Sequence, residues 1–258
     1  MARAAAIVPA RDEAETVAET VTAALGVDGV DLVGVVDDGS RDETAQLARR
    51  AGAHVVTAPA GPGKGAALEA GLAALGNIAS LGEDGPGADA ARPLDAGGPP
   101  VVILLLDADL GSSAAEAALL LAPVLAGEAD MAVATFPPIA GRSGGFGLVK
   151  GLARTGIHTL GARSYPAAAP LSGQRAITSA AMEALRPIAN GYGVEVALTI
   201  RALRQGLRVV EVPTAMSHRH TGRDVAGFAH RGRQFVDVAI TLAGLAFEPS
   251  GDRRTPKA

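Results

Sequence analysis

Cysteine is absent from this 258-residue sequence, which removes any disulfide framework and any thiolate metal site. Metal ligands must then come from carboxylates or from the five histidines. No stretch approaches 18 consecutive apolar residues, so no transmembrane segment is expected. Met1-Ala2-Arg3-Ala4 enters an apolar segment at once, without the layout of a signal peptide, so a cytoplasmic location is expected. Positive charge is also short: the formal net charge is -4 and the pI about 5.7, which excludes bulk nucleic-acid binding. Two phosphate-binding signatures are missing. Gly63-Lys64 resembles the end of a P-loop, but Ala58 stands where the first glycine belongs and Gly65 follows the lysine in place of Ser or Thr. The first apolar run leads into Pro9-Ala10-Arg11 instead of G-x-G-x-x-G, which argues against a dinucleotide-binding oxidoreductase. A nucleotidyltransferase would want a glycine-rich loop at the same place.

What is present suffices for a sizeable core, since 48% of the residues are hydrophobic. Ala4 to Pro9 reads as a strand, followed by a helical pattern through Val17, Val21 and Leu25 that stops at Gly26. Asp31 to Val36 is a second strand ending in Asp37-Asp38-Gly39-Ser40. There Ser40 and Glu43 have capping-box spacing for a helix from Arg41 to Arg50. His54 to Thr57 is a third strand, with a helix across Ala66 to Leu75. Val101 to Leu106 then runs straight into Asp107-Ala108-Asp109, as a strand buried on both faces would. This alternation predicts an α/β fold with a mostly parallel central sheet flanked by helices. Asn77 to Pro100 has no period and reads as a surface insertion. Further on, the pattern predicts a helix from Ala114, a strand over Met131 to Thr135 and an amphipathic helix over Leu148 to Leu160. It continues with a turn at Pro170 to Arg175, a short helix over Ser179 to Leu185 and a helix from Glu195 to Gly206. A strand over Leu207 to Pro213, a last helix over Val225 to Phe247 and a polar tail complete it.

Charged groups follow successive strands at their carboxyl ends, where open α/β sheets bind ligands. These are Arg11-Asp12-Glu13, Asp37-Asp38, Lys64, and Asp107 with Asp109. A carboxylate such as Asp37 can accept from a base N–H, Lys64 can neutralise a phosphate, and the acidic pair suits a divalent cation on a diphosphate. Taken alone, the pair fits a strand end that caps the next helix equally well.

Four segments in this order resemble the nucleotide-binding half of family 2-like glycosyltransferases with the GT-A fold. They are Ala6-Ile7-Val8-Pro9-Ala10-Arg11-Asp12-Glu13-Ala14-Glu15, Val35-Val36-Asp37-Asp38-Gly39-Ser40-Arg41-Asp42-Glu43-Thr44, Gly63-Lys64-Gly65 and Asp107-Ala108-Asp109. The resemblance implies one GT-A domain over 1–258, with a nucleotide-binding half at 1–110, an acceptor-side half at 111–248 and a tail at 249–258. It implies that Pro9, Ala10, Arg11, Glu13, Asp37, Lys64 and Asp107 surround the nucleotide of a UDP-sugar. It also implies that Asp109, with Asp107 beside it, binds Mg²⁺ or Mn²⁺.

Pro170-Leu171-Ser172-Gly173, Gly191-Tyr192-Gly193-Val194-Glu195 and Ser217-His218-Arg219-His220 resemble segments of glucosyl-3-phosphoglycerate synthases. That likeness implies His218 as a metal ligand, Glu195 with Asp109 as catalytic residues, and an acceptor site at Gly145, Phe146, Gly147, Lys150, Ser172, Gly173 and Arg219. From the residues alone, His218 reads first as a surface histidine in a basic turn, and Glu195 equally as a complement to its helix dipole. Two departures argue against phosphoglycerate as acceptor. Met216 stands where those synthases carry an arginine, and residues 145–150 lack their Gly-Arg-x-Thr contact. Arg219, His220, Arg223, His230, Arg231 and Arg233 still point to an anionic partner or, alternatively, form a solvated basic face. The expected activity is metal-dependent transfer of a hexose, glucose by preference, from a UDP-sugar to a small, anionic acceptor. Alternatives are transfer to polyprenyl phosphate with peripheral membrane contact, and a non-catalytic nucleotide-sugar-binding protein. Phe235 to Phe247 is correspondingly a lipid-facing helix, a homodimer helix or ordinary core packing.

Overall fold

Side chains alternate along a strand, so a strand that is apolar at every position needs a helical layer on each face. That is how the sheet is built in the computed structural model, which describes residues 4–58, 63–80, 102–136, 146–218 and 225–248. Strands β1 (Ala4–Ala10), β2 (Val30–Asp37), β3 (His54–Thr57), β4 (Val102–Leu105), β5 (Met131–Thr135), β6 (Arg175–Thr178) and β7 (Val209–Pro213) form one sheet. Their order is β3-β2-β1-β4-β6-β5-β7. All neighbouring pairs are parallel except those of β6, which runs antiparallel to both β4 and β5.

Ala4, Ala6, Val8 and Ala10 of β1 and Val102, Leu104 and Leu106 at β4 face one layer. There they pack on α1 (Val17–Leu25) and α4 (Ala117–Leu125) through Val17, Val21, Leu120 and Val124. Ala5, Ile7, Ile103 and Leu105 face the other, against α3 (Lys64–Ser80), α6 (Ser179–Ala184) and α7 (Val194–Arg204) through Leu68, Met182 and Leu198. A third cluster joins α5 (Phe146–Gly156) to α7 and α8 (Val225–Phe247) through Val149, Ala153, Ile200 and Val238. Val238 and Leu245 give α8 a buried face, as core packing requires, while Val236, Ile240 and Phe247 leave its other face apolar and exposed. Among the described residues no helix is long and apolar enough to cross a membrane.

Three local expectations are corrected. Ser40 does not cap α2 (Thr44–Arg50), because its hydroxyl accepts from the Asp12 N–H at 3.0 Å. Helix α3 continues through Ser80, so the non-periodic segment begins after it, and 81–101 lie outside the described residues. Arg175 to Thr178, read as the end of a turn and the approach to a helix, is instead β6.

Candidate active site

Residues after a parallel strand emerge at its carboxyl end, and so do residues before an antiparallel neighbour. Leu105 pairs with Arg175, which sets Ser172-Gly173-Gln174 beside Asp107. Thr135 pairs with Pro213, and the Thr214 N–H donates to Thr135 O at 2.9 Å, so the segment leading to His218 leaves the same edge. Hydrogen bonds from Ala215 N to Glu116 Oε2 at 3.1 Å and from Ser217 N to Ser113 Oγ at 3.1 Å direct it towards Asp109. Met216, 3% exposed, is packed into the core beneath this segment.

Asp107 Oδ1 accepts from Lys64 Nζ at 2.7 Å and its Oδ2 from Gln174 Nε2 at 2.6 Å. Lys64 Nζ also lies 2.9 Å from Glu195 Oε1, at the first turn of α7, and so bridges two carboxylates. Burial alone would lower the Lys64 ammonium, but the charges and hydrogen bonds of Asp107 and Glu195 outweigh it and raise its pKa above the ordinary lysine value. Burial would likewise raise the Asp107 carboxyl, and Lys64, with His218 and Gln174, holds it below the usual carboxylate range. Gly173 makes this possible. A Cβ there would sit 3.1 Å from Asp107 Oδ2 and 2.5 Å from Lys64 Nζ, inside the space the ion pair occupies.

His218 Nδ1 is 2.9 Å from Asp109 Oδ1, and its ring stacks obliquely on Phe136 with centroids 5.5 Å apart. The contact with Asp109 raises the histidine pKa; burial opposes this. One ligand atom each from Asp107, Asp109 and His218 lies within 4.8 Å of the others. Two carboxylate oxygens and an imidazole nitrogen, partly open to solvent, form a donor set that suits Mg²⁺ or Mn²⁺.

The nucleotide-side residues lie along the same edge. Ala10 pairs with Asp37, and the Asp38 N–H donates to Ala10 O at 3.0 Å. Asp12 adopts φ 55, a region Asp tolerates, and its carboxylate accepts from Arg41 N at 2.7 Å. Glu13 N donates to Thr44 Oγ1 at 2.8 Å, so the two loops form a laced floor. Pro9 and Glu13 are half-buried, Arg11 is exposed, and Asp37 is buried. Asp38 Oδ1 is the one buried side-chain atom among the described residues without a hydrogen-bond partner.

Beyond the Lys64–Glu195 pair opens a cavity of about 210 Å³, lined by Lys64, Val149, Leu171, Tyr192, Glu195, Gln234 and Val238. On α5 it is Val149 that faces this space, while Gly147 and Lys150 are exposed. Ser172 is buried, with its hydroxyl 3.4 Å from Gln174 Oε1. Gly145 and Arg219, and the side chains of Phe146 and the remaining basic cluster, lie outside the described residues. Gln174 and Arg175 were not singled out from the sequence; the Gly-Gln-Arg step beside a glycine-bearing turn was the only local signal.

Known proteins resemble this chain in sequence and fold. Residues 5–76 match the family model Glycosyl transferase family 2. Glucosyl-3-phosphoglycerate synthase of Mycolicibacterium paratuberculosis is 28% identical over 260 residues, covering 93% of this chain and 72% of that protein. Glycosyltransferase AglJ of Haloferax volcanii is 28% identical over 228 residues, 84% of this chain and 64% of that one. The crystal structure of Mycobacterium tuberculosis glucosyl-3-phosphoglycerate synthase with Mn²⁺, UDP-glucose and phosphoglyceric acid superposes with a TM-score of 0.70 at 26% identity. The match covers 96% of this chain and 81% of that chain. The complex of that enzyme with phosphoglyceric acid gives 0.70 at 28% identity, over 95% and 80%.

Proposed function

From the premise that this chain is a glycosyltransferase, with a family 2 domain on a GT-A fold, we propose that it transfers a hexose, glucose by preference, from a UDP-sugar to a small acceptor with the help of Mg²⁺ or Mn²⁺. The observation that carries this reading is the convergence of Asp107, Asp109 and His218 within 4.8 Å, beside the Lys64–Glu195 pair. In it, Asp109 and His218 hold the cation. Both oxygens of Asp107 already accept from protein donors, so this residue orders the diphosphate side and its nearest water. A divalent cation bound there would withdraw charge from the departing UDP. Pro9, Ala10, Arg11, Glu13 and Asp37 seat the uridine, and the orphaned Asp38 oxygen supplies a further acceptor for a ribose hydroxyl or base N–H. Lys64 sets the Glu195 carboxylate towards the 210 Å³ cavity, where the sugar and the acceptor hydroxyl meet. Holding both reactants in that register lowers the entropy cost of reaction.

Phosphoglyceric acid is the acceptor present in the mycobacterial complex. In this chain buried Met216 stands where glucosyl-3-phosphoglycerate synthases carry an arginine, which supports a different small acceptor. A donor and acceptor screen that follows UDP release, with the product identified by mass, tests the proposal. UDP released only with a sugar donor, a divalent cation and an acceptor supports it, and pyrophosphate release from a nucleoside triphosphate would refute it. The exposed Val236, Ile240 and Phe247 of α8 favour a second reading, transfer to polyprenyl phosphate at a membrane surface. Failure of the protein to float with anionic liposomes would remove it.

A further inference from the structure

Arg175 is the largest fully buried side chain among the described residues, with 0% of its surface exposed, yet it takes no part in the site just described. Its guanidinium reaches four partners, one of them Met131 Sδ of β5, 3.4 Å from Nη1. Nε donates to Ser172 O at 3.0 Å, Nη1 to Thr199 Oγ1 at 2.9 Å, and Nη2 to Glu195 O at 2.9 Å. Thr199 Oγ1 in turn donates to Glu195 O at 2.9 Å, closing a ring around the first turn of α7. Burying a guanidinium costs several kcal/mol unless its donors are met, so a fold keeps one only where its fork is used. Here the fork joins two backbone segments. One is the turn carrying Gln174, whose amide holds Asp107; the other is the helix start carrying Glu195, whose carboxylate meets Lys64.

We infer that Arg175 is a positioning residue for sugar transfer: it fixes Glu195 and Gln174 relative to Lys64 and Asp107, and it does not serve the metal or the uridine. This rests on the reading that the Lys64–Glu195 pair faces the transferred sugar. Asp109, His218 and the loops after β1 and β2 have no contact with the guanidinium, so the two halves of the donor site should respond differently to its loss.

The test compares wild type, Arg175→Lys and Thr199→Val, with binding of UDP and of UDP-glucose measured in the presence of Mn²⁺ alongside kcat. Arg175→Lys should leave the UDP affinity within about twofold, remove the additional affinity that the glucose moiety confers, and lower kcat by about tenfold to a hundredfold, the usual cost of a misplaced group. Thr199→Val should do the same to a smaller extent. Combined with Glu195→Gln, the Arg175→Lys loss should be far from multiplicative, because both act through one carboxylate. Unchanged sugar affinity and kcat, parallel loss of UDP affinity, or multiplicative losses would each overturn the inference. A wild-type protein that binds UDP without discriminating UDP-glucose would instead refute the placement of the sugar at Lys64 and Glu195.

Discussion

Lys64 stands between two carboxylates, and its positive charge helps to hold the buried Asp107 carboxyl ionised. Lys64→Met removes that charge, so the Asp107 carboxyl, held low by it, must rise. Activity that needs ionised Asp107 is then lost at a higher pH as acid is added. The acid limb of the pH profile of kcat/KM should move upward in the variant, and an unmoved limb would mean that Asp107 does not titrate with the reaction. At this scale the acidic pair, Lys64, Glu195 and His218 were legible because short motifs carried them. Gln174 and Arg175 were not, since nothing in the local sequence separates a buried amide or guanidinium from a solvated one. Burial here comes from β6 pairing with β4, a contact between positions about seventy residues apart.

The elements that bring these side chains together differ in how plainly the chain announces them. β1 to β5 and α1 were legible from apolar runs and stops. β6 was hidden because four residues opening on an arginine carry too little pattern, and its antiparallel direction is fixed only by its neighbours. Helix α3 is held by a close approach. A Cβ on Gly65 would come within 2.9 Å of the Ala189 carbonyl carbon, so Gly65→Ala must push the start of α3 away from residues 188–190. We expect a loss of about 1–3 kcal/mol in chemical denaturation, the usual cost of overpacking, together with a loss of activity as Lys64 moves. Wild-type stability and rate in that variant would show that the approach is loose. The starts of β5 and β7 are clasped by Asp130 and Arg208 at 2.9 Å, and Arg208 lowers the Asp130 pKa. A carboxyl depressed in the folded state stabilises above its unfolded pKa, and that contribution fades as pH falls through the folded value. Asp130→Asn should therefore be less stable than wild type at neutral pH and approach it as acid protonates the Asp130 carboxyl of the folded wild type. A constant difference across that range would contradict the assignment.

Across the described residues, two helical layers bury the sheet on both faces and leave one edge as the place where loops from β1, β2, β4 and β7 and the turn before β6 meet. The sequence reading found that edge from charged residues after successive strands. It could not see the α8 packing that lines the cavity beside Glu195, where Asp237 accepts from Tyr192 N at 3.2 Å and steadies the turn before Glu195. In the proposed function, Asp109 and His218 hold a divalent cation which couples to UDP. Calorimetric titration of UDP with and without Mn²⁺, in wild type, Asp109→Ala and His218→Ala, tests it most directly. Mn²⁺ should tighten UDP binding in wild type, this gain should vanish in Asp109→Ala, and it should fall by at least about tenfold in His218→Ala. Equal UDP affinity with and without the metal in wild type, or an undiminished gain in Asp109→Ala, would contradict it.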